Sequence, residues 1–220
     1  MKSDLSKDLV SYWNFESDYT DKHGANNLTT MGDSIRISDG LIGKAINLDG
    51  DNDYLAVSDN SSLDITSNLT LSTWIKSNGN LEDSNEYGGI VGKTTFGGSI
   101  TYGLRVYNSS YEFIVRQTDG SFKRSVRNFR PKIVDGQWHH LVGIADAQTG
   151  EVKVYVDGQL QENSIDTTFD GTIANSSYDL VFGRDYGGHF LNGKIDEVAI
   201  WSRALTSQEV TNLYLRGIFK

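Results

Sequence analysis

The chain has 220 residues, a formal net charge of -9, 23 glycines, one proline and no cysteine. Disulfides and thiolate metal sites are therefore excluded, and the acidic balance argues against a general nucleic-acid surface. No apolar run approaches the ~20 residues of a membrane-spanning helix, and a chain of this length can bury a core as one large all-β domain.

The opening MKSDLSKDLVSYWNF lacks the apolar region of a secretory signal. Either the protein is not exported by that route or the sequence is a mature or excised domain with a start Met, and the second is favoured. Leu9 to Phe15 is a first strand, followed by a polar, irregular segment from Glu16 to Thr30. Ala45 to Leu48 and Tyr54 to Val57 are short strands around the turn Asp49-Gly50-Asp51-Asn52-Asp53. In Leu69 to Lys76, Leu69, Leu71, Thr73 and Ile75 fall on one face and Thr70, Ser72, Trp74 and Lys76 on the other. A long loop, Ser77 to Gly89, precedes Ile90-Val91. Further strands are expected at Tyr102 to Tyr107, Tyr111 to Gln117 and Ser121 to Val126, the last two joined at Asp119-Gly120.

The centre of the pattern is Gln137 to Gln159. Trp138 to Ala145 is apolar at almost every position, as a strand covered on both faces would be. Val152, Val154 and Val156 alternate with Lys153, Tyr155 and Asp157, and the five residues Asp146 to Gly150 connect the two runs. Two stacked antiparallel sheets follow from this pattern. Leu180 to Gly183 and Gly193 to Trp201 complete the strands. Thr206-Ser207-Gln208-Glu209 is a capping box, and the stripe of Val210, Leu213 and Tyr214 behind it predicts a short C-terminal helix packed on the sandwich. No linker or repeat interrupts the chain, so residues 1–220 form a single domain.

Adjacent strand residues point to opposite faces, so His139 and His140 do not jointly ligate an ion. His140 is expected to fill the core with a satisfied ring nitrogen, and His139 the opposite layer. Glu16, Asp18 and Asp21 in the first loop, with Asp196 in the last long strand, offer the oxygens that calcium takes six to eight at a time. Loop-placed Arg184, Asp185, Tyr186, His189, Tyr87 and Tyr102 combine rings with polar groups, as sugar sites do. The sharpest run is Gly183-Arg184-Asp185-Tyr186-Gly187-Gly188-His189, although an ordinary connection covering the core edge would carry the same residues. Arg116, Lys123, Arg124, Arg127, Arg130 and Lys132 form a basic strip, favoured as solvated strands that discourage edge pairing over a reader of acidic glycans. Glu82, Asp83 and Glu86 are the densest acid group, but they lie in a polar loop without the strand-face spacing of a retaining acid pair, and no Gly-x-Ser-x-Gly elbow exists.

Seven segments in order resemble laminin-G-like jelly-roll domains of the concanavalin-A-like superfamily: Tyr12 to Phe15, Gly43 to Gly50 with Asp53 to Leu55, Leu71 to Ile75, Trp138 to Val142, Val154 to Gly158, and Gly193 through Thr206. The resemblance implies an all-β, two-sheet antiparallel jelly-roll sandwich with a short C-terminal helix. It also implies a structural Ca2+ held by Glu16, the Gly43 carbonyl and Asp196, with Asp21 the next candidate. The E-x-D-x-x-E pattern of laminarinase-type hydrolases and the Arg-Glu-Leu-Arg and Gln-Ile-His motifs of jelly-roll alginate lyases are absent. The expected function is a non-catalytic carbohydrate-binding or adhesion module, extracellular or at the cell surface, and often part of a larger multidomain protein. Its partner is a glycan or a cell-surface protein. The alternatives are a protein-interaction or structural surface module without glycan binding, and a diverged polysaccharide hydrolase or lyase.

Overall fold

The computed structural model describes residues 4–33, 35–78, 87–107, 110–126 and 135–218. Among these, the strands are β1 (Leu9–Trp13), β2 (Thr29–Met31), β3 (Arg36–Asp39), β4 (Lys44–Asp49), β5 (Tyr54–Val57), β6 (Leu69–Ser77), β7 (Tyr87–Thr94) and β8 (Ile100–Tyr107). They continue with β9 (Ser110–Arg116), β10 (Phe122–Val126), β11 (His139–Asp146), β12 (Glu151–Val156), β13 (Gln159–Leu160), β14 (Leu180–Phe182) and β15 (Asn192–Trp201), and helix α1 (Ser207–Ile218) follows. All pairings are antiparallel. The first sheet runs β13-β12-β11-β6-β15-β4-β3 with β1 alongside β15, and the second runs β10-β9-β8-β7-β14-β5-β2.

The expected two-layer sandwich is present, and alternation explains it. Val152, Val154 and Val156 enter the core between the sheets beside Leu69, Leu71, Ile75 and Leu141. Leu104, Val106, Phe113, Val115, Leu180 and Phe182 meet them from the second sheet. Central β11 carries Gly143, where an added Cβ would lie 2.1 Å from the Phe113 ring, so the sheets approach closely at that point. Trp13 packs edge-on against Phe182 at 5.1 Å.

The turn Asp49 to Asp53 carries the chain from one sheet to the other, since β4 and β5 belong to different sheets. The short strands β2, β3 and β13 leave little pattern in the sequence. All three residues of β2 are exposed, so no apolar face marks them. The loop expected from Ser77 to Gly89 is shorter, β7 starting at Tyr87; residues 79–86 lie outside the described residues.

The outer face of the first sheet is also covered. Val142, Ile144, Tyr155, Ala199 and Trp201 form a second apolar cluster with Leu205 and Val210, and Leu213 and the N-terminal Leu5 and Leu9 pack on it. This corrects the placement of the histidines. Leu141 faces the inter-sheet core, so its neighbour His140 faces the helix side, 1% exposed, and stacks near Trp74 and Tyr214. Only one of its ring nitrogens is hydrogen-bonded, Nε2 to Ser72 Oγ at 2.9 Å. His139 instead sits half-buried between Asp157 and Asp135.

The capping box forms as expected. Thr206 N–H donates to Glu209 Oε2 at 2.8 Å, Glu209 N–H returns to Thr206 Oγ1 at 3.3 Å, and Arg203 grips both carboxylate oxygens at 2.8 and 2.9 Å. Arg203 also donates to the Lys7 carbonyl at 3.0 Å, so one guanidinium ties the N-terminal segment to the helix. Led by the Arg203 hydrogen bonds, these contacts hold the Glu209 carboxyl down at about 2. A depressed acid stabilises the fold above its unfolded value, and that contribution is lost as pH falls from about 4.5 towards about 2. Glu209→Gln is expected to destabilise the protein by about 1–3 kcal/mol at neutral pH. Urea midpoints measured down the pH scale should show the difference from the parent closing in that window.

Candidate functional site

Strand β8 alternates strictly, with Tyr102, Leu104 and Val106 facing the core, so Arg105 lies on the outer face of the second sheet. Opposite it on β9, Glu112 occupies the same face. Both are buried, at 2% and 0% exposure. A buried guanidinium requires a partner. Arg105 Nε donates to Glu112 Oε2, and Arg105 Nη1 lies 3.8 Å from Asp185 Oδ2. Glu112 Oε1 also faces Arg124 Nη1 at 3.7 Å.

Asp185 in turn organises the loop after β14. Its Oδ1 accepts the N–H groups of Gly187 at 2.8 Å and His189 at 3.0 Å, and the His189 ring sits on the same carboxylate. Tyr186 lies over Arg105, 4.9 Å from guanidinium to ring centroid, and its carbonyl accepts Gly97 N–H at 3.0 Å. The loop is thereby fixed against the turn between β7 and β8. That turn carries Phe96, which is 68% exposed. The guanidinium of Arg184 lies between two rings, 4.4 Å from Tyr54 and 5.0 Å from Phe96. The result is an exposed aromatic face backed by a cation, with Tyr186 and His189 beside it.

Of the residues expected to bind a ligand, Arg184, Asp185, Tyr186 and His189 therefore come together. Arg184 and Asp185 are buried and position the loop, whereas Tyr186 and His189 are partly exposed. Tyr102 is a correction: it is 0% exposed in the core, and its hydroxyl donates to the Leu63 carbonyl at 2.9 Å. Tyr87 begins β7, but its side chain lies outside the described residues, as do Glu82, Asp83, Glu86, Arg127, Arg130 and Lys132. Phe96 was not anticipated. Its signal was the setting Thr-Thr-Phe-Gly-Gly-Ser, a large ring in a turn with no alternating neighbours to bury it. Glu112 and Asp185 both face Arg105, so they are not the free acid pair that glycoside hydrolysis needs.

The expected calcium ligands divide. Gly43 has φ +59, and an added Cβ there would stand 2.3 Å from both Glu16 oxygens, so the carboxylate fills the space a side chain would take. Asp196 is 0% exposed; its Oδ2 accepts Leu41 and Ile42 N–H at 3.1 Å, and its Oδ1 accepts Glu197 N–H at 2.8 Å. Burial drives its carboxyl up to about 7. Phe15 immediately before Glu16 has φ 53, and Glu197 immediately after Asp196 has φ 51. Left-handed backbone at such residues is uncommon and gathers at functional sites. Asp21 accepts N–H groups from Tyr12, His23 and Gly24 on Oδ1 and from Asn26 on Oδ2, and so organises the first loop. A separate cluster also went unanticipated: one carboxylate oxygen each of Asp33, Asp49 and Asp53 lies within 4.8 Å of the others, where the inter-sheet turn meets the segment after β2.

The family model Laminin_G_3, of the Concanavalin A-like lectin/glucanases superfamily, matches residues 49–211. A search of curated protein sequences finds no match. Among solved structures, the chain is similar to the binding domain of Paraclostridial Mosquitocidal Protein 1, with a TM-score of 0.79 and 20% identity over 96% of this chain and 52% of that one. It is similar to the receptor binding domain of botulinum neurotoxin C/D mosaic serotype, with a TM-score of 0.76 and 17% identity over 98% of this chain and 52% of that one. Domain 4 of AbnA, a GH43 extracellular arabinanase from Geobacillus stearothermophilus, solved in complex with arabinotriose, gives a TM-score of 0.71 and 24% identity over 94% of this chain and 98% of that one. These likenesses establish the fold. The chain spans about half the length of the two toxin domains and nearly all of the arabinanase domain.

Asp185→Ala is expected to cost about 1–3 kcal/mol, because two backbone donors and a buried guanidinium lose an acceptor. Hydrogen exchange should speed up at residues 184–190 more than in the sheets, whereas a uniform change would show that the carboxylate does not hold the loop.

Proposed function

The chain belongs to the concanavalin A-like lectin/glucanases superfamily, and on that premise we propose that it is a non-catalytic glycan-binding module. The observation that carries this reading is Phe96, an exposed ring backed by the Arg184 guanidinium. A ring held flat meets the C–H face of a sugar, and fixed polar groups at its edge select among hydroxyls. Tyr186 and His189 supply that edge. The arabinanase domain solved with arabinotriose supports a sugar ligand, and the toxin domains, described as binding domains, support binding over turnover. An extracellular or cell-surface setting within a larger protein fits both.

Phe96→Ala removes the platform while leaving the core untouched. On a glycan array followed by calorimetry, it is expected to weaken binding at least tenfold with the melting temperature unchanged. Unchanged affinity would contradict the platform. The absence of any glycan hit for the parent at millimolar concentration would leave a protein partner as the ligand. Reducing sugar or unsaturated uronate released from a polysaccharide would overturn the non-catalytic reading.

The same reading includes a structural calcium ion held by Glu16, Asp196 and the Gly43 carbonyl. Such an ion supplies positive charge that offsets two carboxylates brought close to the loop before β4. The Glu16 carboxylate standing over Gly43 and the acceptor capacity remaining on Asp196 support an ion at this place. Calcium is expected to raise the melting temperature and a chelator to reverse the rise. Gly43→Ala, which crowds Glu16 at positive φ, should abolish the response. No response in the parent, or a response that survives this substitution, would contradict the assignment.

A further inference from the structure

The cations on the outer face of the second sheet are not all matched by acids. Arg105 is answered by Glu112 and Asp185, and Arg124 faces Glu112 at 3.7 Å. Arg184, two residues beyond β14, differs. It is 8% exposed, and no acid among the described residues forms an ion pair with it. Its Nε is buried without a hydrogen-bond partner. Nη1 and Nη2 make no hydrogen bond among the described residues either, but unlike Nε they keep accessible surface.

A guanidinium carries its charge permanently, and burying one without an acid is costly. The rings of Tyr54 and Phe96, 4.4 and 5.0 Å away, recover part of that cost by attracting the cation, but a ring face neutralises no charge. The neighbouring acid does not help. Asp185 turns its Oδ1 to the N–H groups of Gly187 and His189 and its Oδ2 to Arg105. The sequence places a carboxylate beside Arg184, and the fold directs it elsewhere. What remains is a nearly buried cation whose two free ends reach the surface next to Phe96, itself 68% exposed.

Resting on the glycan-binding reading above, we propose that the sugar is acidic and that its oxyanion, a carboxylate or a sulfate, sits on Nη1 and Nη2 of Arg184. Either group offers two oxygens to the two terminal nitrogens, the paired geometry in which a guanidinium binds oxyanions best. A hydroxyl would satisfy the N–H donors but leave the charge unanswered. The span from the Phe96 ring to the guanidinium, 5.0 Å, is one that a single substituent of a sugar lying against that ring bridges. The net charge of -9 repels acidic ligands at long range, so their binding would depend on this one local contact. That dependence makes the proposal specific to Arg184.

The test is binding of the full chain to an array that pairs carboxylated and sulfated oligosaccharides with neutral counterparts, trigalacturonate beside its methyl ester among them, followed by calorimetry on the pairs that bind. Acidic members are expected to bind at least tenfold tighter than their neutral counterparts, and the pair with the larger ratio tells carboxylate from sulfate. Arg184→Gln should bring that ratio to within about twofold. In the parent, where no substitution can disturb folding, raising the salt to about 0.5 M should narrow the ratio by screening the charge. Equal binding of acidic and neutral members, a ratio that survives Arg184→Gln, or one indifferent to salt would overturn this proposal and leave the glycan reading standing. Binding of no member would overturn both.

Discussion

A guanidinium taken out of water organises the outer face of the second sheet. Arg105 projects from the middle of β8 with almost no exposure, a position that costs several kcal/mol unless acids surround it. Glu112 comes from the neighbouring strand at no conformational cost, because the register of β8 and β9 places it opposite. Asp185 comes from a loop, and its recruitment has consequences. The carboxylate that faces Arg105 also accepts the N–H groups of Gly187 and His189, so neutralising the arginine and folding the loop are one event. The loop then holds the β7–β8 turn through Gly97, and Phe96 is presented to solvent as a consequence of charge burial several residues away.

The two sheets therefore expose very different outer faces. That of the first is apolar and covered by α1 and the N-terminal segment, fixed by the Arg203 and Trp201 hydrogen bonds to backbone carbonyls. That of the second carries buried charge and aromatic edges. A sandwich with one covered face leaves the loops of the other as its exposed, chemically varied surface, because loops on a stiff sheet hold their geometry while varying their chemistry. Among the described residues of that face, Glu112 and Asp185 are paired with Arg105.

Much of the fold was legible because alternation is a strong signal. Val152, Val154 and Val156 entered the core as their spacing required, and Thr206 with Glu209 marked the helix start. The same rule, applied more strictly, would have placed Tyr102 correctly, since it shares its parity with Leu104 and Val106 and so must face inward. His140 was misplaced because the sequence shows that a strand is covered on both faces but not which cover is the other sheet and which is a helix. The sites were less legible. Asp21 anchors the first loop through four N–H groups that only the folded chain gathers, a role no local spacing reveals. Asp33, Asp49 and Asp53 meet through the topology of β2 and the inter-sheet turn, and no local spacing reveals it. In the loop from Arg184 to His189, which side chains point outward depends on the buried partner, Arg105, and the sequence does not show it.

Hydrogen–deuterium exchange on the chain with and without a bound oligosaccharide would show most directly where binding occurs. Slowed exchange at residues 95–99 and 184–190, with the first sheet and α1 unaffected, is the result predicted by a platform built on Arg105, Asp185 and Phe96. Protection confined to α1 or to the sheet edges, with those two loops exchanging as before, would contradict it.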